Sequence, residues 1–286
     1  MNKVFYGIFT ICFLFSFPTK AENVILMIGD GMGENHLKCA EKDKPIYIPT
    51  LPVKGTVQTR SANADVTDSA AAATAYACGR KTNNRFLGKL PDGKDCLTIA
   101  EELVTNGFSV GIYSTDFSTG ATPSAFYAHT TDREDKELIE KYKRKAASSM
   151  NILVPAKKIS AIVTQNLNKL LQKTKEKGFF AMFEGAEIDT ESQKNDLTGM
   201  KKQLYDFDYA VMKAANFVYK NPDTTLIVLA DHETGGLTDN CQYTTQKHTA
   251  QDIPLYAYGK HADLFQGLQD NTEIYQKIKE ILLPHS

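Results

Sequence analysis

The chain alternates short, uniformly apolar runs with longer stretches in which apolar residues recur at helical spacing. Residues 24–28, 109–113, 179–183, 225–230 and 253–257 are runs of the first kind, and they predict strands buried on both faces. Residues 69–78, 97–106, 134–147, 159–177, 197–219 and 273–283 predict helices, the last stopping before Pro284. Strands alternating with helices imply an α/β fold, a three-layer sandwich whose mostly parallel central sheet carries helices on both faces. No repeat, low-complexity tract or linker interrupts the pattern, so a single domain is expected over residues 22–286.

The first residues follow a different pattern. Lys3 precedes an apolar run over residues 4–17 and then Pro18-Thr19-Lys20-Ala21, which reads as a signal peptide over residues 1–21. The run is short beside the ~20 residues of a membrane span. The protein is therefore expected to be exported, periplasmic or secreted, with no stable membrane insertion after cleavage. Cys39, Cys78, Cys96 and Cys241 would remain, free to pair in any of three ways, and no CxxC suggests a zinc ribbon. Cys78 by itself reads as a small core residue. A formal charge of −1 offers no basic surface, so nucleic acid is not an expected partner.

Ligands of open parallel sheets bind beyond the carboxyl ends of the strands, and in this chain those ends are acidic. Gly29-Asp30-Gly31-Met32-Gly33 follows the first run and Ser114-Thr115-Asp116 the second, leading to Thr122. Glu184-Gly185-Ala186-Glu187-Ile188-Asp189 follows the third and Asp231-His232-Glu233-Thr234-Gly235-Gly236 the fourth, with His248 in the loop before the fifth. Carboxylates, imidazoles and hydroxyls converging from distant parts of the chain suggest metal chemistry. Gly29-Asp30-Gly31 is not GxGxxG, which argues against a dinucleotide site. Thr67-Asp68-Ser69 opens an Ala-rich helix, where Asp68 or Ser69 would cap the first turn and the helix amino end would suit a phosphate.

Taken together, residues 23–33, 67–75, 121–123 with Ala128-His129 and Arg133, 184–189, 230–236 and 248–249 resemble the alkaline phosphatase family, in the family's order and across nearly the whole chain after residue 21. The resemblance implies a metal-dependent hydrolase of small phosphate monoesters in which Ser69 becomes a phosphoserine and Arg133 holds two phosphate oxygens. It further implies two zinc ions, one held by Asp30, Asp231 and His232, the other by Asp189 and His248. A magnesium ion would be held by Asp30, Thr122 and Glu184. Dimers are common in the family, so a homodimer is a further expectation.

Three departures qualify the match. Gln193 stands where the family pattern has a zinc-binding histidine, which should weaken the second zinc site. Gly120 stands where an Asp or His usually serves the third site, leaving water or Asp116 to complete the magnesium shell. Only 45 residues separate Arg133 from Phe179, so the insertion of larger relatives is missing and the cleft should be more open. The alternatives are a phosphodiesterase of the same superfamily, or a degenerate relative that binds phosphate without turnover, the latter motivated by Gln193 and Gly120. A sulfatase fits less well, since no Cys/Ser-x-Pro-x-Arg surrounds Ser69.

Overall fold

The computed structural model describes residues 21–174 and 177–284, so the expected signal segment lies outside the described residues except for Ala21. The strands are β1 (Glu22–Gly29), β2 (Val53–Gln58), β3 (Ser109–Ser114), β4 (Asn151–Leu153), β5 (Gly178–Gly185), β6 (Thr224–Leu229), β7 (Glu233–Thr234), β8 (His248–Thr249), β9 (Ile253–Gly259) and β10 (Gly267–Asp270). The helices are α1 (Glu34–Glu41), α2 (Ser69–Cys78), α3 (Ile99–Thr105), α4 (Ala121–Ser124), α5 (Lys136–Ala146), α6 (Ile159–Lys173), α7 (Glu187–Gln193), α8 (Leu197–Lys220) and α9 (Asn271–Leu282).

The main sheet runs β10-β2-β9-β6-β1-β5-β3-β4. Its centre, β6-β1-β5-β3, is all parallel and is built from four of the five apolar runs. The fifth run, β9, lies antiparallel to both β6 and β2. Helices α2, α3 and α9 pack on one face, while α6 and α8 cover β5, β3, β1 and β6 on the other. Both faces of the central strands are thus removed from water, the condition that gives parallel strands their unbroken apolar sequence. Tyr113 of β3 and Phe183 of β5 stack at 4.7 Å within this core.

The order of elements fixes where the chemistry can sit. The parallel strands present their carboxyl ends at one edge and in register, with Gly29 beside Gly185 and Ser114 beside Glu184. Two disulfides brace the elements behind that edge. Cys39–Cys241 ties α1 to the loop between β7 and β8, and Cys78–Cys96 ties the end of α2 to the segment before α3. Cys78 is therefore buried, as a core residue would be, but it is also a disulfide partner. One of the three open connectivities is the one formed.

Candidate metal and phosphate site

Asp30 leaves the end of β1 on a turn whose next residue, Gly31, has φ +72°. A Cβ there would stand 2.8 Å from Thr234 Oγ1 and 3.0 Å from Asp189 Cα, so both conformation and space require glycine. The Gly31 amide donates to Asp231 Oδ1 at 3.1 Å, which joins the ends of β1 and β6. Asp231 and His232 follow β6 and are fully buried. Glu184 is the penultimate residue of β5, and Asp189 lies on α7 just beyond it. His248, expected in a loop, forms part of β8 and pairs with Thr234 of β7.

These placements bring ligand atoms of Asp30, Asp231 and His232 within 4.8 Å of one another, and likewise those of Asp189, His232 and His248. His232 lies at the junction of the two groups. Its ring stacks on that of His248 with centroids 3.5 Å apart, and its Nε2 is 3.3 Å from Asp231 Oδ2 and 3.5 Å from Asp30 Oδ1. His248 Nε2 is 3.6 Å from Asp189 Oδ1, while its Nδ1 lies 3.1 Å from the Thr67 carbonyl. A ring nitrogen bonded to a carbonyl carries the proton, which leaves Nε2 as the free lone pair.

Ser69 is the first residue of α2, 5% exposed, with Oγ 3.3 Å from His232 Nε2. The cap is Asp68, whose Oδ1 accepts the Ala71 amide at 2.9 Å, so the Ser69 hydroxyl is not consumed by capping. Asp68 Oδ2 accepts the Arg85 amide at 2.9 Å and Arg133 Nη1 at 3.3 Å. One carboxylate thereby caps α2 and anchors the arginine beside it. Thr122, on α4, and Glu184 are fully buried, and Glu184 Oε2 accepts the Ser114 hydroxyl. Gln193 Nε2 donates to Asp189 Oδ2 at 2.6 Å. The structure thus gathers the expected ligands at one sheet edge with Ser69 in contact, and Arg133 is held beside Ser69 through Asp68.

The electrostatics of this edge favour a bound cation. Burial, followed by the charges of Asp231, Asp189 and Glu184, pushes the Asp30 carboxyl well above its usual range. Burial and the Asp116 charge do the same to Glu184, and burial raises Asp231. Burial and the neighbouring His248 push His232 well down, toward the neutral imidazole a metal needs. Asp30 Oδ1, Asp231 Oδ2, Glu184 Oε1 and Thr122 Oγ1 are buried without a hydrogen-bond partner among the described residues. Orphaned oxygens beside mutually repelling carboxylates are what a divalent ion satisfies, so the donor set fits bound metal.

Two contributors carried no assigned role in the sequence reading. Thr234 Oγ1 donates to Asp189 Oδ1 at 2.5 Å and lies 3.2 Å from His232 Nδ1, so it bridges the second group from behind. Asp68 was legible only as a cap. His129, outside the site, braces the fold between the Gly88 carbonyl and Glu101.

Comparison with known proteins agrees with this geometry. A family model described as alkaline phosphatase matches residues 21–167, 155–244 and 238–283. Alkaline phosphatase 4 of Bacillus subtilis is 29% identical, with 92% of this chain and 89% of that protein aligned. That alignment spans 419 positions against a chain of 286 residues, so the relative carries well over a hundred residues with no counterpart here. The alkaline phosphatase of the Antarctic bacterium TAB5 superposes with a TM-score of 0.84 at 26% identity, covering 92% of this chain and 98% of that one. A variant of the same enzyme, described with Mg bound in its M3 site, superposes at 0.81 with 26% identity over the same shares of the two chains. By fold, sequence and a metal-adapted strand edge, this chain belongs to the alkaline phosphatase family and is a metal-dependent phosphatase.

Proposed function

We propose that the protein is an exported phosphomonoesterase that works through a phosphoserine on Ser69, with two zinc ions and one magnesium ion. The observation that carries this reading is the Ser69 hydroxyl, uncapped at the amino end of α2 and 3.3 Å from the imidazole shared by both ligand groups. Asp30, Asp231 and His232 would hold one zinc, Asp189 and His248 the other, and Asp30, Thr122 and Glu184 the magnesium. When bound, the zinc pair supplies Lewis acidity at the attacking and leaving oxygens of an in-line displacement.

The chain's own groups account for recognition and direction. The amino end of α2 favours a phosphate dianion. Arg133, fixed at Nη1 by Asp68, presents the rest of its guanidinium to two phosphate oxygens. Ser69 Oγ forms the bond to phosphorus as the ester bond breaks, its proton passing to solvent and the departing alcohol taking one up. Water then cleaves the phosphoserine and returns the hydroxyl. The short connection between Arg133 and β5 leaves the leaving-group side open, in keeping with small, varied monoesters.

Export is supported by the signal-like segment at residues 1–21 and by two disulfides, which persist in oxidising compartments. The deciding experiment is p-nitrophenyl phosphate hydrolysis by purified protein with zinc and magnesium, beside Ser69→Ala. Metal-dependent turnover that the alanine abolishes is expected. Equal turnover by the two proteins would overturn the serine mechanism, and none from folded, metal-loaded protein would favour a diester substrate or phosphate binding alone.

A further inference from the structure

We propose that Asp116 supplies the side chain that Gly120 withholds from the third metal site, reaching it from four residues earlier in the β3–α4 loop. The assignment rests on the metal reading above. A Cβ on Gly120 would lie 2.0 Å from Asp116 Oδ2, 2.3 Å from its Cγ and 2.7 Å from its Cβ. The Asp116 carboxylate therefore stands in the space that a side chain at position 120 would enter. Gly120 has φ −53° and ψ 143°, open to any L-residue, so the backbone does not demand glycine. The occupied space does.

Asp116 is held for this role. Its amide donates to Ser114 Oγ at 2.8 Å, and its Oδ1 accepts the Phe117 amide at 2.6 Å. The same Ser114 hydroxyl donates to Glu184 Oε2, so one side chain holds the Asp116 backbone and the Glu184 carboxylate. Beside them, Glu184 Oε1 and Thr122 Oγ1 are orphaned in fully buried residues. Asp116 is the strongest neighbouring charge acting on Glu184 and also bears on Asp30. Three carboxylates and a hydroxyl offer an all-oxygen donor set, the chemistry that suits magnesium, an ion that would keep part of its water shell there.

The test is calorimetric titration of Mg2+ into zinc-loaded full-length protein, comparing wild type, Asp116→Asn and the double variant Asp116→Gly/Gly120→Asp, in which the Asp116 Cβ that would meet the new side chain is removed as well. Asp116→Asn should weaken Mg2+ binding about 10–100-fold, the range for removing a partner of a metal's ligand shell. The double variant, with the carboxylate returned to position 120, should recover most of that loss. Wild-type protein that takes up no Mg2+, Asp116→Asn that binds within twofold of wild type, or a double variant as weak as Asp116→Asn would each overturn the proposal. If Asp116→Asn fails to fold, the double variant decides: binding within tenfold of wild type supports the exchange and weaker binding overturns it. Protein inactive on p-nitrophenyl phosphate but showing this Asp116 dependence would retain the assignment while the phosphomonoesterase reading fell.

Discussion

Gln193 donates its side-chain amide to Asp189 Oδ2 at 2.6 Å, and the same nitrogen stands 3.4 Å from His248 Nε2. The amide thus fills the corner between the two expected ligands of the second zinc. An amide nitrogen has no lone pair to offer a metal, whereas an imidazole from the same helical position would. Gln193→His should therefore raise zinc affinity at this site at least about tenfold, as a third nitrogen or oxygen donor joins Asp189 and His248. Zinc retained per chain after dialysis against graded chelator measures it, and retention equal to wild type would show that position 193 does not face the ion.

Thr234 makes a second, less obvious contribution. Its hydroxyl is fully buried and touches both Asp189 and His232, one from each ligand group. Thr234→Val keeps the shape and removes the hydrogen bonds, so Asp189 Oδ1 loses its anchor while Gln193 still holds Oδ2. A loss of about 10–100-fold in zinc affinity is expected, with little change in thermal stability of the metal-free protein. Equal losses in both would mean that Thr234 serves packing alone.

Thr234 marks where the sequence stops being informative. The central strands were legible because burial on both faces makes them continuously apolar, and α2 was bounded by Asp68 before it and Gly79, at φ +66°, after it. The strands β2 and β10 were not, because β10 is a half-exposed edge strand and β2, paired between it and β9, shows no clear alternation. Helices α1, α4 and α7 are short, so their apolar period is too brief to read. The site followed the same division. Asp30, Ser69, Glu184, Asp231 and His232 sit at or beside the ends of recognisable elements. Thr234 lies on the two-residue strand β7, too short to show a period, and Asp116, which the sequence offered only as one of two ways to complete the third site, is placed by the β3–α4 loop. The β9 direction was likewise invisible, since an apolar run looks the same from either end.

Removing the metals should expose the charge conflict of the site. Asp30 and Glu184 are raised well above their ordinary values in the folded chain by burial and by neighbouring carboxylates, Asp231 first for Asp30 and Asp116 for Glu184. For an acid raised in the folded state, the stabilising contribution is present below the unfolded value and lost as pH rises through the folded one. Chelated protein should therefore melt at progressively lower temperature as pH rises above the ordinary carboxylate range. Zinc and magnesium should reverse that trend, because they bind the ionised carboxylates, and the melting-temperature gain on adding metal should grow with pH. Differential scanning calorimetry at several pH values with and without chelator measures both slopes. A metal-induced gain independent of pH would contradict the assignment of these carboxylates as ligands.

His36 offers the opposite sign and a cleaner measurement. It is fully buried on α1, its Nδ1 accepts the Gly33 amide at 3.2 Å, and its Nε2 lies 3.1 Å from Ser192 Oγ on α7. Because Nδ1 accepts, the proton of the neutral ring is on Nε2 and is donated to Ser192. Burial pushes this imidazole down to about 4. A base depressed in the folded state contributes stability that is present above the unfolded value of about 6.5 and lost as pH falls toward the folded one. The loss amounts to about 3 kcal/mol across that interval, at ~1.4 kcal/mol per pH unit. His36→Gln has no proton to take up, so its stability should fall less between pH 7 and pH 4.5 than that of wild type. Urea unfolding of both proteins at the two pH values, in chelator, measures the difference. The carboxylates of the metal site titrate alike in the two proteins and cancel. Parallel losses in wild type and variant would mean that His36 protonates as readily in the folded chain as in the unfolded one, and that the α1–α7 contact behind Asp189 does not hold it neutral.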